Sequence, residues 1–119
     1  MTSQRLPNYL RAYRKRAALS QEEVAYLLGC LSGAKVCRYE RFLREPELVT
    51  ALACQIIFRR PVGELFPGIL EKVEREVISR ARILERKAAK ETGQPLPDRK
   101  RQSLAAIISG DAKDQLKRI

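Results

Sequence analysis

Residues 19 to 40 read LSQEEVAYLLGCLSGAKVCRYE, and the fold turns on how this stretch is read. It holds two short apolar-patterned runs, each just after a serine, with a glycine between them. In S-Q-E-E, Glu23 stands three residues after Ser20, the spacing of a capping box that opens a helix. Val24, Leu27 and Leu28 are expected to face inward, and Ala25 is small enough for close packing. Gly29 can take the left-handed conformation that ends a helix. Ser32 is expected to cap the next helix. There Val36 and Tyr39 point to a core and Lys35 and Arg38 lie on the other side.

Working outward, a first helix is expected to start near Pro7, since proline suits the first helical position. Leu6, Leu10, Tyr13 and Ala17 recur at spacings of three and four and give it one apolar face. Downstream, Glu45-Pro46 is a break, because a residue before proline avoids the helical region. A fourth helix covers about 47–59. Its middle, ALACQIIF, is apolar nearly all round, so it must be covered on more than one side. Pro61 starts a short fifth helix, PVGELF, that Pro67 closes. A long helix over 69–91 follows, with Leu70, Val73, Val77, Ala81, Leu84 and Ala88 as an apolar stripe. Glu71 with Arg75 and Glu76 with Arg80 are four apart, each pair contributing about 0.2–0.5 kcal/mol on a solvated face. The stripe either packs on the surplus apolar face of helix four or pairs with the same helix of a second chain. GQPLP, from Gly93, reads as a linker. Asp98 then caps a short helix with Leu104, Ile107 and Ile108 apolar, which Gly110 ends. The last nine residues form a further turn or a frayed end.

The chain has 119 residues, of which 32% are charged, and a formal net charge of +10. Such a surplus favours a polyanionic partner, either nucleic acid or an acidic membrane face. No run of 18 apolar residues exists, so no membrane span is expected, and the N-terminus lacks the apolar core of a signal peptide. The three cysteines (Cys30, Cys37, Cys54) are odd in number and show no CxxC spacing, and there is no histidine. They read as small core residues in a reducing cytoplasm, and neither a metal nor another cofactor is expected. The absence of histidine removes the commonest general base, and no phosphate-cradling glycine motif is present, so an enzyme is not expected.

Taken together, LSQEEVAYLLG, a tight turn, V-C-R-Y-E, then P-E-L-V-T-A-L-A and ELF, the chain resembles the lambda-repressor-like family of helix-turn-helix domains, of the Cro/repressor or xenobiotic-response-element type. The resemblance runs from about Leu10 to Phe66 and rests on Arg14, Gln21, Ala25, Gly29, Val36, Glu40, Pro46, Leu48, Leu52 and the Glu64-Leu65-Phe66 end, none specific alone. It implies an all-α, five-helix domain over 1–67, to which the residue patterns add a long amphipathic helix over 68–92 for dimerisation or packing on helix four, and a linker with a short basic helical tail over 93–119. It implies a recognition helix at about 33–41 in the major groove of double-stranded DNA, which is the right size for an α-helix.

Particular residues then acquire expected roles. Gln21, at the start of helix two, resembles the family's phosphate-binding residue. Ser32 begins the turn into the recognition helix. Gly33 and Ala34 stand where relatives read bases, and here Ala34 could at most touch a thymine methyl. Lys35 and Arg38 are the remaining readers, Arg38 bidentate to guanine and Lys35 to a phosphate. Arg41 and Arg44 follow in a region that touches phosphates. Arg14 and Glu40 match the family's internal ion pair. One feature argues for an external anion independently: helix three carries Lys35 but no acid in its first turn, where acids are favoured.

Four positions depart from the pattern. Gly29 to Val36 is seven steps where the family usually has six. Either helix two runs on or the turn bulges through Cys30 and Leu31. Ala18 and Phe42 stand where the family has glycine after helices one and three. A left-handed alanine is costly, so the Ala18 corner is expected to be built otherwise, and the Phe42-Leu43 pair is expected to pack under the loop. Gln55 sits where the family buries a small residue, and its amide needs a partner. Cys37 lies beside Arg38, and packing is expected rather than a redox role. The function expected is a cytoplasmic, sequence-specific transcriptional regulator, a repressor-like homodimer on a palindromic operator, with the 69–91 helix as the expected dimer interface and the exposed face of helix four as the second choice. Two alternatives stand beside it: an antitoxin whose C-terminal segment binds a toxin or other protein, and a protein-interaction module that has lost DNA binding.

Overall fold

The computed structural model describes residues 6–93 and 96–110, and it has helices and no strand among them. In chain order the helices are α1 (Leu10–Arg16), α2 (Gln21–Leu28), α3 (Ala34–Glu40), α4 (Leu48–Phe58), α5 (Val62–Leu65), α6 (Pro67–Thr92) and α7 (Asp98–Ser109). They fall into two compact units, one up to Leu70 and the other from Glu71 on. The expected turn or frayed end over 111–119 lies outside the described residues.

The strongest local pattern forms as written. Ser20 Oγ accepts from Glu23 N at 3.0 Å, and Ser20 N donates to Glu23 Oε1 at 2.9 Å. Those two bonds satisfy orphan donors of the first turn. The Ser20 backbone bond, then its hydroxyl, hold the Glu23 carboxyl below its ordinary range. α1 differs from expectation at its start. The helix begins at Leu10, not near Pro7, because Asn8 Oδ1 accepts from Leu10 N at 3.0 Å while Asn8 Nδ2 donates to Tyr39 O at 2.9 Å. One side chain thus fixes both the helix start and its seat against α3.

Three successive helices end in the same way. After α1, Leu19 N bonds to Arg14 O and Ala18 N to Lys15 O. After α2, Cys30 N bonds to Ala25 O and Gly29 N to Tyr26 O. After α3, Leu43 N bonds to Arg38 O and Phe42 N to Tyr39 O. Each is the paired closure of a Schellman motif, which needs a left-handed residue just past the helix. Gly29 supplies it at φ 77°, but Ala18 at φ 59° and Phe42 at φ 62° supply it as well. The Ala18 corner is therefore built in the glycine geometry, contrary to expectation.

In the first unit the core is two small clusters. Leu10, Tyr39, Cys54, Leu65 and Phe66 form one, with Tyr13, Leu28, Phe58, Val62 and Ile69 around them. Val24, Ala25 and Val36 form the other, bordered by Leu19, Leu28, Cys30 and Phe58. Leu28 and Phe58 belong to both and join them. Leu27, expected inside, is exposed, because Val24, Ala25 and Leu28 already fill the inner face of α2. Gln55 is exposed and not buried, and its amide oxygen accepts from Val62 N at 3.0 Å, so it finds its partner at the start of α5. Pro67 opens α6 rather than only closing α5, as its missing N–H allows at a first helical position. In the second unit Ala81 on α6 and Leu104 on α7 are buried.

Candidate nucleic-acid interface

The site is built on α2, α3 and the turn between them. Glu40, on the last turn of α3, is the anchor. Its Oε2 accepts from Arg14 Nε at 2.5 Å and its Oε1 from Arg14 Nη2 at 3.1 Å, a two-point pairing with α1. Arg14 Nη1 also donates to Leu19 O at 2.9 Å. The Arg14 side chain is 12% exposed and that of Glu40 3%. The hydrogen bond to Glu40 raises the Arg14 guanidinium above its ordinary value, against a lowering by burial. The expected ion pair is thus present, and its planar fork fixes the angle of α3 against α1.

Gln21 does not stand free for a phosphate. Its amide nitrogen donates to Glu40 Oε1 at 3.1 Å, so the side chain is half-buried in the same cluster. A third arm thereby ties the start of α2 to the end of α3.

The turn itself is fixed from the other end. Glu22 Oε1, from α2, accepts from Gly33 N at 2.9 Å. This carboxylate lies at the start of α3, where the helix favours negative charge. The acid missing from the first turn of α3 in sequence is therefore supplied across the turn by Glu22. With Glu22 in that place, Lys35 needs no outside anion to balance it. Gly33 is buried, and a Cβ there would meet Glu22 Oε1 at 2.7 Å and the Gln21 backbone carbon at 3.2 Å. Gly33 is a close-packing position and presents nothing outward. Ser32 is not the cap either. Gly33 occupies that position, and the Ser32 hydroxyl makes only a long contact to Ala34 N at 3.4 Å. The extra residue of the turn is accommodated by bulging. α2 stops at Leu28, Cys30 tucks against the Val24 cluster, and Leu31 is thrown fully into solvent.

With α3 locked on its inner side, its outer side carries Ala34 and Arg38, both exposed, with Lys35 half-buried between. Lys35 and Arg38 line a concavity of about 350 Å³ together with Gly29, Cys30, Leu31 and Ser32. A second concavity of about 200 Å³ is lined by Arg11, Arg14, Gln21, Cys37, Glu40 and Arg41. Arg41 and Arg44 follow α3 and are exposed. Among the described residues, no carboxylate pairs with Arg11, Lys35, Arg38, Arg41 or Arg44. Arg11 was not among the expected site residues, although its place three before Arg14 puts it one turn along the same face. Glu22 was also missed, because its partner lies eleven residues away and no local pattern encodes it.

Phe42 and Leu43, expected to pack under the loop, are covered only in part, at 36% and 51% exposure. They line a shallow hollow with Leu6, Asn8, Arg44, Glu45 and Ile69. No group of metal-ligating side chains exists among the described residues, and no helix among them is long and apolar enough to cross a membrane. No protein-family model, no curated protein and no solved structure matches the chain.

Proposed function

We propose that this chain is a sequence-specific DNA-binding transcriptional regulator of the helix-turn-helix kind, a homodimer on a palindromic operator with half-sites about one helical turn apart. The observation that carries the reading is Arg38. It is exposed and, among the described residues, without an ion pair, on the outer side of a short helix whose inner side is tied down by Arg14, Gln21, Glu22 and Glu40. A bidentate donor on a rigid helix is the group that tells guanine from other bases in the major groove. Lys35 and Ala34 flank it, the latter offering a methyl contact. The backbone contacts fall to Arg11, Arg41 and Arg44, and not to the Gln21 side chain, which Glu40 holds. The net charge of +10 supports a polyanionic partner.

The experiment begins with selection of bound sites from a random DNA pool, followed by titration of the selected duplex. Arg38→Ala is expected to weaken binding by about 1–3 kcal/mol and to relax preference at one base pair of each half-site. A uniform loss across all sequences would assign Arg38 to a phosphate instead. Two observations favour a second reading, a protein-interaction module without DNA binding. Gly33 is buried at a position where relatives in the resembled family read bases, and Phe42 and Leu43 leave an apolar surface partly exposed. Failure to recover any enriched site would favour that reading.

A further inference from the structure

Among the described helices of this highly charged chain, α4 is the one with no charged residue. Its eleven residues, LVTALACQIIF, include no acid and no base, in a protein with a 32% charged share. Ala51 and Cys54 bury one side of the helix in the first unit. The opposite side presents Leu48, Val49, Leu52 and Ile56, exposed to 73%, 78%, 44% and 77%. Residues 48, 52 and 56 are four apart and 49 lies beside them, so the four side chains share one face over more than two turns.

Together they make an apolar patch on the order of 400 Å². On a monomer that size marks a functional surface. It also matches the apolar centre of an interface burying roughly 800 Å² per partner. The core of the unit does not need this face, and a sequence that places four large aliphatic side chains in water at helical spacing implies a cover.

We infer that a second copy of this chain covers it, docking its own α4 antiparallel across the exposed face with the two-fold axis beside Leu52. The inference deepens the reading proposed above, from which it takes the need for a second copy. Charge selects the occupant and its direction. Two copies at +10 each repel, and this face is where they can approach without setting base against base. At the ends of α4 the charges are opposite: exposed Glu47 at the start and exposed Arg59 at the finish, about 18 Å apart along the axis. In an antiparallel pair, each Glu47 meets Arg59 of the other copy, twice by symmetry. In a parallel pair acid would meet acid and base would meet base. The stripe on α6 is the weaker candidate, because Ala81 at its centre is already buried in a single chain.

The test is sedimentation equilibrium of the full chain without DNA, so that it stands or falls separately from the DNA-binding reading. The parent is expected to be a dimer at micromolar concentration. Leu52→Glu with Ile56→Glu is expected to give a monomer of unchanged helicity, since both side chains lie on the exposed face of α4. The charge series guards against a variant that fails to fold. Glu47→Arg alone is expected to raise the dissociation constant about tenfold, as two reversed exposed pairs would. Adding Arg59→Glu is expected to restore it. A parent that stays monomeric, a dimer that survives the double glutamate variant, or a charge reversal that Arg59→Glu does not rescue each overturns the inference. A monomeric parent that binds anionic lipid vesicles through this face overturns it in favour of a membrane surface.

Discussion

Ala18 at φ 59° and Phe42 at φ 62° hold a backbone conformation that crowds Cβ against the following carbonyl, at about 1–2 kcal/mol each. Their neighbours keep them there. The paired closing bonds after α1 and α3 satisfy four helix-end carbonyls, and at the first corner Leu19 O also receives Arg14 Nη1. Strain at these corners is thus outweighed by hydrogen bonds that position the ends of α1 and α3. Ala18→Gly should release the strain while adding freedom to the unfolded chain, for a net gain of about 0.5–1 kcal/mol. A higher urea midpoint with an unchanged slope is the expected result, and an equal or lower midpoint would refute the strain argument. Phe42→Gly is a less clean probe, because it also removes a half-covered ring. Gly33 shows the opposite constraint: its φ of −71° suits any residue, and only the close approach of Glu22 and Gln21 requires glycine.

Helices were legible in the sequence wherever their signals are local. The capping box of α2, its glycine stop, the break at Pro46 and the long period of α6 all act within a few residues, so reading the chain in order finds them. The inward Val36 and Tyr39 follow from the same periodicity. The misses have non-local causes. Asn8 moves the start of α1 by bonding across to α3, Glu22 caps α3 from eleven residues away, and Gln21 reaches Glu40 nineteen residues on. Gln55 lies outside where burial was expected because the rotation of α4 is set by what it packs on, and an almost wholly apolar helix gives no phase in its sequence. Cys54 turns that packing into a measurable pH dependence. Burial, and secondarily the Cys30 thiol, pushes Cys54 from 9.0 up to about 11. The unfolded thiol therefore ionises first as pH rises. Its contribution is intact below pH 9 and is lost between 9 and 11, by up to about 2–3 kcal/mol. Unfolding titrations at pH 8 and near 10.5 should show a steeper decline for the parent than for Cys54→Ala. The comparison cancels other alkaline titrations, and parallel declines would refute the assignment.

For the molecule as a whole, charge decides more than shape. A net charge of +10 on 119 residues opposes both folding and self-association, so it persists only if something is gained from it. Around α3 the basic groups are arranged and not scattered. Arg14 is neutralised by Glu40 and points inward, whereas Arg11, Lys35, Arg38, Arg41 and Arg44 have no carboxylate partner among the described residues. The internal ion pair therefore sorts the arginines into one that holds the site and others left for a ligand. Five such groups per copy set a ceiling on the number of phosphates engaged. For two copies on duplex DNA, the logarithm of the binding constant should fall against the logarithm of salt concentration with a slope no steeper than about −9. Arg38 and any other group spent on a base edge reduce it, so a value between about −5 and −8 is expected. Arg41→Ala should then flatten the slope by about two, one for each copy, with base preference unchanged. Arg38→Ala should change preference and leave the slope nearly intact. If the two variants exchanged these signatures, the outer face of α3 would lie along the backbone and not in the groove. If affinity were independent of salt, the five unpaired cations would have no phosphate partners and the DNA-binding reading would fall with them.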